Sequence, residues 1–191
     1  MIKIGLLGDI GSGKTFISKK FGFPVFNADV EVKKIYRKNK YCYKRLKKIF
    51  PNYIVSFPIK KKELMKAIYF NKNNIKKINQ IVHPIVRKNL FKFFSKNKGK
   101  KAVILDIPLL LENKIKIKNL TLVFVDANKK SILKKLKKRK NFNIKIFNIL
   151  KKTQFTNNFK KNKANFVIKN NFKKEKIKKS INLLKEKIFN K

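Results

Sequence analysis

Gly8-Asp9-Ile10-Gly11-Ser12-Gly13-Lys14-Thr15 is the stretch on which the rest of the chain depends. It satisfies the spacing G-x-x-x-x-G-K-[ST] at every fixed position. Glycine lets the backbone bend tightly enough for successive N–H groups to face one concavity, which can surround a polyphosphate without side-chain obstruction. Lys14 supplies a charge that neutralises β- and γ-phosphates, and Thr15 supplies a hydroxyl for Mg²⁺. The helix that follows aims its positive N-terminal end at the same place.

The flanks decide whether the spacing is more than a chance loop. Ile2, Ile4, Leu6 and Leu7 form a short apolar run that predicts a buried parallel strand ending at Gly8. Beyond Thr15, Ile17 and Phe21 lie four apart on one helical face, and Gly22 with Pro24 supplies the stop. Strand, glycine loop and helix in that order disfavour the alternative, an ordinary glycine-rich turn.

A chain of 191 residues, 43% of them hydrophobic, predicts one domain with room for a small insertion and a real core. The longest apolar stretch, Ala102 to Leu111, is broken by Asp106 and is too short to span a membrane. Cys42 is the single cysteine, so no intrachain disulfide or cysteine-rich metal site is available and a reducing cytoplasm is expected. The formal charge of +44 would ordinarily point to nucleic acid or an anionic membrane. Yet the excess is almost all lysine, with arginine only at positions 37, 45, 87 and 139, and it accompanies abundant Asn, Ile and Phe. These types share A/T-rich codons, so base-composition drift accounts for the charge better than a dedicated polyanion surface. Lysines decorate every segment without basic-aromatic clustering on one face, and neither a specific nucleic-acid partner nor a membrane partner is expected.

Against that background the acids are informative. Asp29, Asp106, Glu112 and Asp126 lie just beyond apolar runs, where the carboxyl ends of parallel strands place ligands in open α/β sheets. Pro24 to Asn27 is a short extended segment that delivers Asp29, and Val30 to Tyr36 begins a helix. From Tyr43 to Leu90 the periodicity is helical and strand-free, with Leu46, Ile49 and Phe50, then Leu64, Ala67 and Ile68, then Ile75, Ile78, Ile81 and Val82 in register. Strand character returns at Ala102-Val103-Ile104-Leu105, at Leu120 to Val125 and at Phe166-Val167-Ile168. Ser131 to Arg139 is an amphipathic helix, and Ile177, Ile181, Leu184 and Ile188 mark a last helix by their core stripe. Five short strands with helical crossovers predict an α/β fold, a P-loop kinase-like αβα sandwich with a five-stranded parallel sheet and a helical subdomain inserted before the third strand.

The assembled motifs resemble the dephospho-CoA kinase family from Ile2 to about Asn171. Beside the glycine loop, the likeness is carried by Asn27-Ala28-Asp29, His83-Pro84-Ile85-Val86 and Asp106-Ile107-Pro108-Leu109-Leu110-Leu111-Glu112. Val125-Asp126-Ala127, Arg139, Gln154 and Val167-Ile168-Lys169-Asn170 extend it. The resemblance implies one kinase domain over 1–191, with a nucleotide-binding core at about 1–37 and 100–191, a helical acceptor-binding insertion at about 41–95 and a lid at about 139–163. It implies transfer of the γ-phosphoryl group of ATP, with Mg²⁺, to the ribose 3′-hydroxyl of dephospho-CoA by a cytoplasmic monomer.

Under that resemblance Gly8, Asp9, Ile10, Gly11, Ser12, Gly13, Lys14, Thr15 and Phe16 contact ATP, and Thr15 also contacts the metal. Asp29 matches the catalytic base, Lys14 and Arg139 complete the catalytic set, and His83 and Lys160 lie toward the substrates. Read without the resemblance, Asp29 is also a good helix cap, Arg139 is a helix-dipole partner and His83 is a structural histidine. Asp106 and Glu112 either order water around Mg²⁺ or pair with nearby lysines. Four positions depart from the family pattern: Asn27 for an aspartate, Phe16 for a small hydroxylated residue, Lys160 for a lid arginine and Asn165 for an aspartate. Together they predict a slower, less discriminating enzyme.

Overall fold

Ile4 and Leu6 point to one side of the first strand, and Gly5 and Leu7 to the other, so a short strand in the middle of a sheet can be covered on both faces. The computed structural model describes every residue except 114, 139–141 and 191, and the backbone alone at 145, 146, 149 and 150. In chain order the elements are β1 (Ile2–Gly8), α1 (Lys14–Lys20), β2 (Val25–Asn27), α2 (Ala28–Lys38), α3 (Lys40–Ile49), α4 (Lys61–Phe70) and α5 (Asn74–Lys96). They continue with β3 (Ala102–Asp106), β4 (Leu120–Asp126), α6 (Lys129–Lys137), α7 (Ile144–Lys152), α8 (Asn157–Lys163), β5 (Phe166–Lys169) and α9 (Lys174–Phe189).

The strands form one parallel sheet in the order β2-β3-β1-β4-β5. β1 lies between β3 and β4, with Ile4 opposite Ile104 on one side and Thr121 on the other. Asn165 extends the β4–β5 pairing by one step, since its amide donates to Leu122 O at 2.9 Å and its side-chain oxygen accepts from Leu122 N at 2.8 Å. All five strands predicted from the apolar runs are present.

The chain divides into two compact units, Met1–Phe26 with Asn97–Lys191, and Asn27–Lys96. In the first, α1 and α9 cover one face of the sheet, so that Ile17, Phe21, Ile177, Ile181, Leu184 and Ile188 pack on Ile4, Leu6, Ile104, Val123, Val125 and Ile168. The predicted α9 stripe is wholly buried, and each of its side chains contributes on the order of 1.5–3 kcal/mol of burial free energy. α8 packs against β1 and β4. The second unit is all-helical, α2 to α5 around Ile35, Leu46, Phe50, Ile54, Leu64, Ile78 and Val82. The predicted stripe of α5 is corrected at its first member: Ile75 is 47% exposed, and the buried residue of that first turn is Asn74, whose side chain donates to Ala67 O at 2.8 Å. Ile49, in the last turn of α3, is likewise exposed, while the next residue, Phe50, is buried. No helix among the described residues is long and apolar enough to cross a membrane.

Candidate active site

β1 ends at Gly8 and α1 begins at Lys14, so the intervening backbone must reverse within a few residues. It does so through positive φ at Gly8 (144°), Gly11 (80°) and Gly13 (92°). A Cβ on Gly8 would meet Val125 O at 2.7 Å, and one on Gly13 would run into the side-chain amide of Asn170. Glycine is therefore required at both by space as well as by φ. Within the loop Ser12 N donates to Asp9 O at 3.1 Å and Ile10 N to the Asp9 carboxylate at 2.8 Å. Gly13 is the N-cap of α1 and offers no side-chain acceptor. The first amides of α1 thus keep their hydrogen-bonding capacity for an anion in front of the helix.

Lys14 folds back over this loop and donates to Gly8 O at 3.0 Å and Asp9 O at 2.8 Å. Burial and then the charge of Lys160 push its ammonium down from 10.5 to about 8, against the opposing pull of Asp106, Asp9 and Glu112. Lys160, on α8, is only 3% exposed. It donates to Gln154 Oε1 at 2.9 Å and pairs with Glu112 Oε1 at 3.4 Å. Two lysines thus bring their charge to one place, held by carboxylates and carbonyls. An arriving polyphosphate meets cations already desolvated by the protein.

On the opposite flank of the loop, Asn170 at the end of β5 donates from its side-chain amide to Ser12 O at 2.7 Å and accepts from Phe172 N at 2.8 Å. Beside it a cavity of about 230 Å³ is lined by Gly11, Gly13, Phe16, Lys135, Asn170 and Phe172, among others. An aromatic ring, a buried amide and two glycines at the phosphate loop suit a flat heteroaromatic base. The Asp9 carboxylate points elsewhere, accepting from Asn157 Nδ2 at 3.4 Å with Lys151 at 3.9 Å.

The structure therefore gathers Gly8 to Phe16 and Lys160 in the sheet unit. Asp29 and His83 lie in the helical unit. Asp29 occupies the first turn of α2 and is exposed, and the cap there is Asn27, whose side chain accepts from Val30 N at 2.9 Å. The capping role weighed for Asp29 is taken by its neighbour. His83 sits mid-helix in α5 before Pro84, with its imidazole pushed down by burial and by Arg87. Arg139 lies outside the described residues. One role was not read from the sequence, and one was left between two readings, of which pairing with a lysine is the one present. Asn170 shapes the loop, and only its position at the end of an apolar run hinted at it; Glu112 holds Lys160 and accepts from Phe155 N at 2.9 Å. Among the described residues no group of three or more His, Cys, Asp or Glu could hold a metal. The exposed Thr15 hydroxyl fits Mg²⁺, which keeps several waters and is held by few protein groups together with substrate phosphates.

A glycine loop of this shape between the central strand of a 2-3-1-4-5 parallel sheet and its first helix defines a P-loop kinase. The dephospho-CoA kinase family profile matches residues 2–176. A dephospho-CoA kinase of Wolbachia pipientis wMel is 32% identical over 177 residues, 90% of each chain. Among solved structures, one from Thermus thermophilus superposes with a TM-score of 0.79 at 24% identity, covering 98% of this chain and 97% of that one. A dephospho-CoA kinase from Campylobacter jejuni gives 0.66 at 22%, covering 97% and 96%. The chain belongs to the dephospho-CoA kinase family. Its reaction is the phosphorylation of dephospho-CoA, the final step of coenzyme A biosynthesis.

Proposed function

We propose that the chain moves the γ-phosphoryl group of ATP to the ribose 3′-hydroxyl of dephospho-CoA in the cytoplasm, with the phosphate loop as donor site. The observation that carries this reading is the pairing of an open glycine cradle with two desolvated lysines, Lys14 and Lys160. Phosphoryl transfer asks a protein mainly to align two reactants and to stabilise charge spread over the moving group. Loop amides of Gly11, Gly13, Lys14 and Thr15 hold the β- and γ-phosphates, and the Lys14 ammonium leaves its carbonyl partners to bind them. Lys160 faces the transferred group. The cavity beside Gly13 and Phe172 receives the adenine ring, with Phe16 at its rim. Thr15 would hold Mg²⁺, which supplies charge neutralisation between β- and γ-phosphates when bound. Asp29 accepts the proton of the attacking hydroxyl, Arg139 steadies the nucleotide phosphates and His83 contributes to the acceptor side.

Purified protein supplied with ATP and Mg²⁺ tests this by ADP release and by the mass of the product. Release stimulated by dephospho-CoA, with negligible stimulation by AMP, nucleosides or shikimate, is the expected result. AMP as the best acceptor would overturn the reading.

A further inference from the structure

Lys160 is the buried lysine of a helix whose other lysines, Lys161 and Lys163, are exposed. Burying an ammonium is costly unless a charge and hydrogen bonds compensate it, and here the compensation comes from outside the helix. Glu112 Oε1 lies 3.4 Å from Lys160 Nζ, and the same oxygen accepts the Phe155 amide at 2.9 Å. One carboxylate therefore fixes both the charged tip of Lys160 and the backbone just before Thr156, the residue that caps α8 through Phe159 N at 3.2 Å. Gln154 supplies a second tether to the ammonium at 2.9 Å.

The turn that carries Glu112 is shaped for this. Leu109 adopts φ 57°, a left-handed conformation that an apolar side chain seldom takes. Asn113 closes the turn by donating to Leu109 O at 2.9 Å and from its side chain to Pro108 O at 3.4 Å. Such strain persists where the surroundings dictate the geometry, and the result is a carboxylate held at the buried lysine.

We infer that Glu112 is a positioning residue for phosphoryl transfer: it fixes Lys160 of α8 as a second ammonium facing the group that moves from the phosphate loop. The inference rests on the reading of Lys160 as a phosphate ligand. Glu112 touches neither nucleotide nor acceptor in this scheme: it acts on the reaction through Lys160, and its other contact holds the Phe155 amide. α8 packs against β1, the strand that ends in the phosphate loop, in keeping with two cations serving one anion.

A double-mutant cycle of E112Q and K160M, read as kcat and KM for both substrates, tests this. E112Q keeps the size of the side chain and an acceptor for Phe155 N while removing the charge. Expected is a kcat roughly 10-fold or more below wild type in each single variant, with KM for ATP within about threefold. The double variant should match K160M, because Glu112 has nothing left to position. Multiplicative losses in the double variant, or wild-type kcat in E112Q, overturn the inference while the role of Lys160 stands. Wild-type kcat in K160M overturns both. Should E112Q fail to fold, E112D replaces it in the cycle, since it keeps the charge but draws the carboxylate back from Lys160 Nζ by one methylene. The same pattern is expected, and wild-type kcat in E112D overturns the inference.

Discussion

The side-chain amide of Asn170 donates to the carbonyl oxygen of Ser12 at 2.7 Å across 158 residues of sequence, so the end of the last strand fixes the shape of a loop that follows the first. The backbone amide of Asn170 donates to Asp126 O at 2.7 Å and its side-chain oxygen accepts from Phe172 N at 2.8 Å. It is buried and fully engaged, and Gly13 is packed against it.

Replacing Asn170 should therefore damage nucleotide binding first. Asn170→Ala leaves a buried carbonyl without its donor, at a cost of about 1–3 kcal/mol, and lets the loop relax away from the geometry that phosphates need. KM for ATP should rise roughly 10-fold or more, with a Tm lower by about 2–4 °C per kcal/mol lost. Asn170→Asp should be worse, because a carboxylate oxygen would face Ser12 O and add negative charge beside the cradle. Steady-state kinetics and thermal melts of the two variants check this, and an Asp variant that binds ATP as well as wild type contradicts it.

Asp29 and Asn27 should separate cleanly. Because Asn27 supplies the cap of α2 through Val30 N, Asp29→Asn should leave the melting curve near wild type. Its kcat should fall by about 10²- to 10⁴-fold, the range for removing acid–base help. Asn27→Ala should do the reverse in kind, costing about 1 kcal/mol of stability. Near-normal turnover in Asp29→Asn would remove it from the catalytic set.

The fold was readable because its signals are local. Apolar runs of three to six residues, the glycine spacing from Gly8 to Gly13 and the 177-181-184-188 stripe are each local in sequence, so that spacing alone assigns them. What failed or stayed open involved neighbours that periodicity does not contain. Ile75 shares the spacing of Ile78, Ile81 and Val82, yet the buried residue of that first turn is Asn74, tied to Ala67 O on α4. In Asn27-Ala28-Asp29 either polar residue can cap a helix, and only the hydrogen bond to Val30 N decides between them. Glu112 was left between ordering water and pairing with a lysine, since Lys160 is remote in sequence. The bond from Asn170 to Ser12 joins opposite ends of the chain, and only the place of Asn170 at the end of an apolar run pointed toward it.

The low ammonium value of Lys14 makes activity and stability respond to pH in opposite ways. Its folded value of about 8 lies below the ordinary 10.5, so between these limits the unfolded chain holds more of this proton than the folded one. Stability of the ligand-free protein should therefore rise with pH across that window, relative to a Lys14→Met variant that lacks the titration. The charged form is the one that binds phosphates. Consequently kcat/KM for ATP should fall with an apparent pKa near 8, and the limb in kcat should lie higher, because bound phosphates favour the ammonium. The cause is burial together with Lys160, opposed by Asp106, Asp9 and Glu112. Coincident alkaline limbs in kcat and kcat/KM would contradict this assignment.

Net charge should make the fold salt-dependent. With 53 lysines and arginines against 9 acids, most cations have no acid to pair with, even though Glu31 reaches Lys34, Asp9 reaches Lys151 and Glu112 reaches Lys160. Unpaired like charges repel over a Debye length of about 10 Å at 0.1 M salt, shrinking to about 3 Å at 1 M. Relief of some 1–2 kcal/mol of repulsion would raise Tm by roughly 2–8 °C between low salt and molar salt. Melting curves in a potassium chloride series measure it. The same series run with a labelled oligonucleotide should show weak binding that collapses as salt rises, since phosphate contacts without base contacts exchange directly with counterions. Tight, sequence-selective binding that survives physiological salt would instead mean that the lysines form a recognition surface, and a Tm insensitive to salt would mean that they are spaced too widely to repel.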